Sequence, residues 1–367
     1  MSPGSGDGWR RYSSANTLGI LGGGQLARML AIAARSFDIG CIVVEPSGPQ
    51  CPAASVADVL VGSFDDRGVL AELSDRCSTV TVELEAVPIS SIEWLADRVN
   101  VRPGPNAIRV AQDRLLEKQM FRSLGIPTAP INAEVPVDAP AIVKTRRGGY
   151  DGRGQIRTST PTERASATQE LPDPIVEGLV GFDRELSIVA ARSVAGEVVC
   201  YPLVENVHVD GILRETTAPA SVVPGLQAEA EKLATRVLDH LEYVGVLGIE
   251  LFDVGGELIA NEFSPRVHNT GHWTLEGSTT SQFEQHVRAV MKLPLGDTTT
   301  IGTSVMINAI GILPNLHSVL EIPGCHMHAY GKENRPNRKV GHITVTAGDH
   351  ETLVDRLRQL RAATRDR

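Results

Sequence analysis

The sequence predicts an α/β protein, α+β in part, that opens on a parallel sheet. Three observations carry this. Short apolar runs at Leu18–Leu21, Cys41–Val44 and Thr79–Glu83 alternate with a strongly apolar helical stretch, Gln25–Ser36, as buried parallel strands covered by helices do. Two further apolar runs, Gly245–Val254 and Leu258–Phe263, are joined at Gly255 and Gly256, which marks a hairpin. Beyond about residue 300 the chain turns to short strands and ends in an amphipathic helix near Leu353–Leu360.

The remaining elements follow in order. Met1–Asn16 is Gly/Ser-rich without an apolar core, so it reads as a flexible leader and not as a secretory signal. Arg102-Pro103-Gly104-Pro105 punctuates the end of a first domain. Asp113–Leu124 reads as a helix, with Leu116, Met120 and Leu124 four apart and Leu115 and Phe121 beside them. Gly125 and Pro127 stop it. Strands are expected at Ala141–Lys144, Ile175–Glu177, Glu185–Ala191 and Val198–Val204, and helices at Gly225–Leu241 and Phe283–Met291.

At 367 residues the chain has room for two or three domains. With 42% hydrophobic and 22% charged residues it is neither wholly disordered nor collagen-like. The net charge of −9 argues against non-specific nucleic-acid binding, which needs a broad basic face. An anionic small molecule would need cations concentrated locally. Five cysteines without a C-x-x-C pair read as reduced thiols in a cytoplasmic protein. No run approaches the roughly 18 apolar residues of a membrane span.

Five stretches carry chemistry. Gly22-Gly23-Gly24-Gln25-Leu26-Ala27 fits G-x-G-x-x-[GA] between a strand and a helix, with Glu45 after the second strand. This leaves open a nicotinamide or flavin site, another anion site, or a plain tight turn. In Lys144–Gln155, KTRRGGYDGRGQ, a strand-end lysine precedes a loop of glycines and arginines. Such a loop frees N–H groups and cations for phosphate, though it is not a Walker A loop. Glu250 and Glu262 lie in the two hairpin strands. A three-residue loop over Gly255–Glu257 places them directly opposite one another, where like charges need a counter-ion such as Mg²⁺. A two-residue loop turns them apart. Ser264–Trp273 holds Arg266, His268, Asn269 and His272. The two histidines are four apart, but Pro265 and Gly271 argue against a zinc-binding helix and for a substrate-contacting loop. Lys332–Lys339 carries four cations and one acid, which reads as a solvated basic turn or a phosphate clamp.

Taken together these motifs resemble the ATP-grasp superfamily and, within it, the 5-(carboxyamino)imidazole ribonucleotide synthetases. The resemblance runs from Leu18 to about Ala347. Its most specific stretches are Gly149–Gln155, Tyr201–Leu203 with Asn206–Arg214, Pro265–Trp273 and Arg338–His342. It implies an ATP-grasp fold with a Rossmann-like pre-ATP-grasp domain at 17–108 after a leader at 1–16. The ATP-grasp domain would occupy 109–300, its lid about 110–180, and a small β-rich domain 301–367. The implied reaction is carboxylation of 5-aminoimidazole ribonucleotide with ATP and bicarbonate, through carboxyphosphate, by a cytoplasmic homodimer that binds neither nucleic acid nor membrane. Composition and spacing alone reach only a magnesium–nucleotide enzyme with an anionic substrate.

The resemblance also implies roles. Arg114 and Lys144 would contact ATP phosphates under a lid of Gly149, Tyr150, Asp151, Gly152, Arg153, Gly154 and Gln155. Glu177, Gly178, Leu179 and Val180 would line the adenine pocket, Glu185 would hold the ribose, and His208 would complete the nucleotide site. Glu250 and Glu262 would hold Mg²⁺ (or Mn²⁺), with Asn261 beside the phosphates. Ser264 stands where many relatives keep a further Asn, so no third protein ligand is expected. Gly24, Gln25, Tyr150, Arg266, His268, Asn269, Lys332 and Arg338 would surround the ribonucleotide. Asp151, as general base, together with Arg266, Lys332 and Arg338 would form the catalytic set. Competing readings are another ATP-grasp carboxylase or a formate-using transformylase, a nicotinamide oxidoreductase built on Gly22–Ala27, and a non-catalytic nucleotide sensor.

Overall fold

The computed structural model describes residues 13–149 and 154–364. The first sheet holds β1 (Thr17–Leu21), β2 (Gly40–Val44), β3 (Asp58–Leu60), β4 (Thr79–Val82) and β5 (Asn100–Val101). They are all parallel, in the order β3-β2-β1-β4-β5. Between them run α1 (Gln25–Arg35), α2 (Arg67–Arg76) and α3 (Ile89–Ala96), and α4 (Pro105–Ala111) follows. Every residue of β1 and β2 is buried, as a strand covered on both faces requires.

α5 (Arg114–Ser123) is capped by Asp113, whose carboxylate accepts from Leu115 and Leu116 N–H. A small antiparallel sheet follows: β6 (Ala141–Thr145), β7 (Gln155–Thr158), α6 (Pro161–Glu170) and β8 (Pro174–Gly178), with β6 central.

The large sheet begins with β9 (Arg184–Arg192), β10 (Val198–Cys200), β11 (Val204–Val209) and β12 (Ile212–Ala218). After α7 (Leu226–His240) come β13 (Gly245–Val254) and β14 (Glu257–Ser264), then α8 (Thr274–Gly277) and α9 (Gln282–Val290). β15 (Thr303–Ile310), α10 (Leu316–Leu320), β16 (Cys325–Ala329), β17 (Lys339–Ala347) and α11 (His350–Thr364) complete the chain. Among the described residues this sheet is nine-stranded, ordered β14-β13-β9-β11-β12-β15-β17-β16 with β10 on β9. The strands after residue 300 thus extend the central sheet through the β12–β15 pairing.

Two sequence readings are corrected. Val198–Val204 is not one strand: β10 stops at Cys200 and β11 starts at Val204. Pro202 has no N–H to pair, and the Leu203 N–H turns to the Gln227 side chain at 2.7 Å. The hairpin loop has two residues, with Val254 opposite Glu257 and Gly255 and Gly256 both at positive φ. A two-residue turn of this kind matches the strand twist. The facing pair survives because a bulge follows: Leu251 pairs Ala260 but Glu250 pairs Glu262, leaving Asn261 as the extra residue.

One apolar core joins the parts. Leu26, Leu30 and Ala34 of α1 share a cluster with Phe283 and Val287 of α9, Trp273 and Tyr330. His286 clips the first sheet to the large one. Its Nδ1 accepts from Val246 N–H at 3.0 Å, and its Nε2 meets Thr81 Oγ1 at 2.8 Å.

Burial pushes the His286 imidazole down to about 4. The unfolded chain titrates there near 6.5, so between about pH 7 and pH 4 the unfolded state binds the extra proton and stability falls as pH falls. Urea unfolding from pH 7 to pH 4 is expected to show that decline. It should be shallower in His286→Gln, by on the order of 1–3 kcal/mol over the window.

Candidate active site

Strand alternation builds the site floor. In β13, Ile249 and Leu251 point into the core beneath α7, with Leu186 and Ile188 of β9. Glu250 therefore faces the other way, opposite Ser187 on one side and Glu262 on the other. Each acid has a partner: His268 Nε2 lies 3.3 Å from Glu250 and Arg114 Nη1 3.1 Å from Glu262. Burial would raise the Glu250 carboxyl, but the His268 hydrogen bond and charge, with His208 and Lys339, bring it down to about 2.

The small sheet brings its lysine to the same floor. Lys144, next to last in β6, bonds Glu177 of β8 at 2.8 Å. Burial opposes the Glu177 charge, yet Lys144 and Lys118 hold its carboxyl below the ordinary range. Glu177 Oε1 is buried with no donor among the described residues, which fits a ligand that supplies one. The N–H groups of Gly178 and Leu179 are bonded to the carbonyls of Pro130 and Pro140. Glu185 and His208 pair across the neighbouring strands. Burial would lower the His208 imidazole, but Glu185 raises it above its ordinary value.

After β6 the described chain resumes at Gly154, whose φ is +70° and whose carbonyl accepts from Thr145 N–H at 2.8 Å. A side chain at Gly154 would meet Thr145 Oγ1 at 2.8 Å. Tyr150, Asp151, Gly152 and Arg153 lie outside the described residues. Arg146 and Arg147, read from the sequence as phosphate cations, instead bond both oxygens of Asp113 at 2.7 and 2.6 Å. They anchor the loop's base to the cap of α5.

A second cluster lies toward the first sheet. Gln25 accepts from Lys332 Nζ. Arg266 makes a bidentate pair with Glu85 at 2.7 and 3.0 Å. Asn269 and Asn308 exchange amide bonds at 2.9 and 3.1 Å. Arg338 precedes β17, its carbonyl accepting from Gly311 N–H at 2.8 Å. His268 Nδ1 meets Thr270 while His272 Nδ1 meets Gln282, so the two rings have separate partners, though Gln282 also bonds the His268 backbone.

The glycine turn is not an open dinucleotide site. Gly23 N–H donates to Glu45 at 2.9 Å, and Gly24 and Leu26 N–H donate to Glu83. A Cβ on Gly24 would come within 2.2 Å of Glu83 Oε1. The anion-binding end of α1 is filled by the protein's own carboxylates. Burial pushes the Glu83 carboxyl up, although Gly24 and Leu26 N–H groups pull against it.

Sequence reading missed Lys118, Glu117, Asp113, Glu83 and Glu85. Lys118 is 1% exposed, lies 3.8 Å from Glu177 and donates to the Asn261 carbonyl. A signal was present: positions 114, 117, 118 and 121 form one helical stripe, so the charges of α5 share the face of buried Phe121.

Among the described residues no cluster of three or more His, Cys, Asp or Glu could hold a metal. Two hard carboxylates on one face instead fit Mg²⁺, which takes one or two protein carboxylates and completes its shell with water and phosphate oxygens.

A small lid sheet over a large sheet, with paired acids on the floor and a lysine at the rim, defines the ATP-grasp class. The ATP-grasp domain family matches residues 119–283, the ribonucleotide synthetase preATP-grasp domain 15–112 and the phosphoribosylaminoimidazole carboxylase C-terminal domain 304–356. An N5-carboxyaminoimidazole ribonucleotide synthase of Pseudomonas aeruginosa is 43% identical over 94% of this chain and 98% of its own. The crystal structure of an N5-carboxyaminoimidazole ribonucleotide synthetase from Thermus thermophilus superposes with a TM-score of 0.89 at 44% identity, covering 95% of this chain and 99% of the other. An Aspergillus clavatus N5-carboxyaminoimidazole synthase, solved with ADP and 5-aminoimidazole ribonucleotide, superposes with a TM-score of 0.87 at 30% identity over 96% and 99% of the two chains. The chain belongs to the N5-carboxyaminoimidazole ribonucleotide synthase family and is an ATP-grasp ligase.

Removing the shared carboxylate should be costly, because Lys118 and Lys144 would both stay buried without it. Glu177→Ala is expected to lose about 3–5 kcal/mol of unfolding free energy, read by chemical denaturation.

Proposed function

We propose that Glu250, Glu262, Lys144 and Arg114 bind and activate Mg-ATP, and that the cluster around Gln25, Arg266, Asn269, Lys332 and Arg338 holds 5-aminoimidazole ribonucleotide. The reaction is ATP-dependent carboxylation in purine biosynthesis. Bicarbonate attacks the γ-phosphorus, the bond to the β-phosphate oxygen breaks, and ADP and carboxyphosphate form. The exocyclic amine then takes the carboxyl carbon, inorganic phosphate leaves, and the amine loses a proton. The carrying observation is the register that sets Glu250 opposite Glu262 on the open face of the large sheet.

Bound Mg²⁺ supplies charge neutralisation and phosphate orientation. The chain's residues do the rest. Arg114 and Lys144 pair with the phosphates, exchanging part of their bonding to Glu262 and Glu177. Val180 and the linker carbonyls read the base, because the Gly178 and Leu179 N–H groups are already used. Glu177 Oε1 accepts from the ligand, and Glu185 with His208 holds the ribose. Gly149–Gln155 closes over the phosphates and keeps water from carboxyphosphate. Asp151 takes the amine proton. Lys332 and Arg338 take the ribonucleotide phosphate, and Arg266, fixed by Glu85, faces the transferring carboxyl group. The proposal includes a homodimer in the cytoplasm. Free cysteines, four of them buried, support a reducing compartment. No described helix is long and apolar enough to cross a membrane.

Phosphate release from Mg-ATP is expected to need bicarbonate and to rise with 5-aminoimidazole ribonucleotide, with a carboxylated product trapped. Release indifferent to the ribonucleotide would move the acceptor to another amine. Glu262→Gln should lower turnover at least 100-fold, and full activity would remove Glu262 from the metal site. Lys332→Ala should raise KM for the ribonucleotide at least tenfold and KM for ATP less than twofold. An equal rise in both would place Lys332 at the nucleotide.

A further inference from the structure

β14 is an edge strand of the large sheet and carries the bulge at Asn261. An edge strand offers unpaired N–H and C=O groups, and a bulge adds one more unpaired peptide. Here the Pro127–Thr128 backbone pairs Ala260, whose N–H donates to the Pro127 carbonyl at 2.8 Å, and beyond it α5 pairs the edge with side chains. Lys118 Nζ donates to the Asn261 carbonyl, and Glu117 Oε1 accepts from Phe263 N–H at 2.7 Å. These bonds flank Glu262 on its two sides. Lys118 is 1% exposed and Glu117 3%, so neither is a solvated surface charge. Lys118 also shares Glu177 Oε2 with Lys144, at 3.8 and 2.8 Å. One ammonium therefore connects the metal strand to the strand that positions the lid-sheet lysine.

We infer that Lys118 and Glu117 are positioning residues for the metal acid. They continue the edge pairing past Ala260, where the Pro127–Thr128 backbone leaves off, fix the backbone on either side of Glu262, and, through Glu177, set the distance between that acid and Lys144. The inference rests on the reading of Glu262 as a metal ligand. Neither residue touches the reacting atoms.

The test is Lys118→Met, which keeps most of the buried volume and removes the ammonium. Mn²⁺ binding to the ADP-loaded protein is followed by the electron paramagnetic resonance of free ion, alongside steady-state kinetics. In a folded variant the Mn²⁺ Kd is expected to rise at least tenfold and kcat to fall at least tenfold, with KM for 5-aminoimidazole ribonucleotide within twofold of the parent. An Mn²⁺ Kd within twofold of the parent overturns the inference. Should Lys118→Met fail to fold, Glu117→Leu, which removes the acceptor on the other side of Glu262, must raise the Mn²⁺ Kd by the same order, and no change overturns it. Glu262→Gln separates the two claims. If it leaves Mn²⁺ binding intact, the metal reading itself fails. If it weakens binding while the Lys118 and Glu117 variants do not, only the positioning role fails.

Discussion

Two carboxylates held face to face on one sheet are the constraint around which the rest is arranged. Glu250 and Glu262 are cross-strand partners, a placement that destabilises a sheet when it stands alone. Their partners come from distant segments. Arg114 reaches Glu262 from the start of α5, and His268 reaches Glu250 from the loop after β14. Arg114 can sit there because Asp113 caps the helix just before it, and the same Asp113 ties down Arg146 and Arg147 at the base of the lid loop. One repulsive pair thus links the large sheet, α5 and the root of the lid.

Charges alternate from the floor to the rim: Glu262 to Arg114 on one path, and Lys118 to Glu177 to Lys144 on another. Buried ion pairs are weak evidence for stability, because desolvation offsets much of the attraction. Their geometric effect is firmer. Each buried charge has few places in which it is satisfied, so the side chains proposed to meet phosphate are held in place by the protein itself. This is preorganisation, and it limits the reorganisation left for the moment of transfer.

The sequence disclosed the parts that depend on alternation and spacing. Three strands of the first sheet (β1, β2 and β4), the stop of α5, and the two acids in adjoining hairpin strands follow from patterns within a few residues; β3 and β5, three and two residues long, do not. What it hid depends on contacts between distant segments. The Gly255–Gly256 turn has two residues, and only the bulge at Asn261, stabilised from α5, restores the facing register. Arg146 and Arg147 look like phosphate ligands by charge and position, yet the partner that claims them, Asp113, lies over thirty residues earlier. α2 and α3 escaped because their apolar stripes are thin: Leu70 and Leu73 in one, Ile92 and Leu95 in the other.

The glycine turn after β1 shows how a reused fold changes meaning. Its shape and its place at the start of a helix suit a dinucleotide phosphate, but Glu45 and Glu83 occupy the N–H groups that phosphate would use. An anion brought there would meet two carboxylates. Those N–H groups are therefore spent within the protein, and a cation at the turn comes from Lys332, which donates to Gln25. An enzyme with two phosphate-bearing substrates must stop each from entering the other's place. On the proposed reading the triphosphate goes to Lys144 and Arg114 and the ribonucleotide phosphate to Lys332 and Arg338, so each is held by its own cations and neither by the N–H groups of the turn. Specificity on that reading arises from two separate sets of cations, with the donors of the turn already withdrawn from the competition.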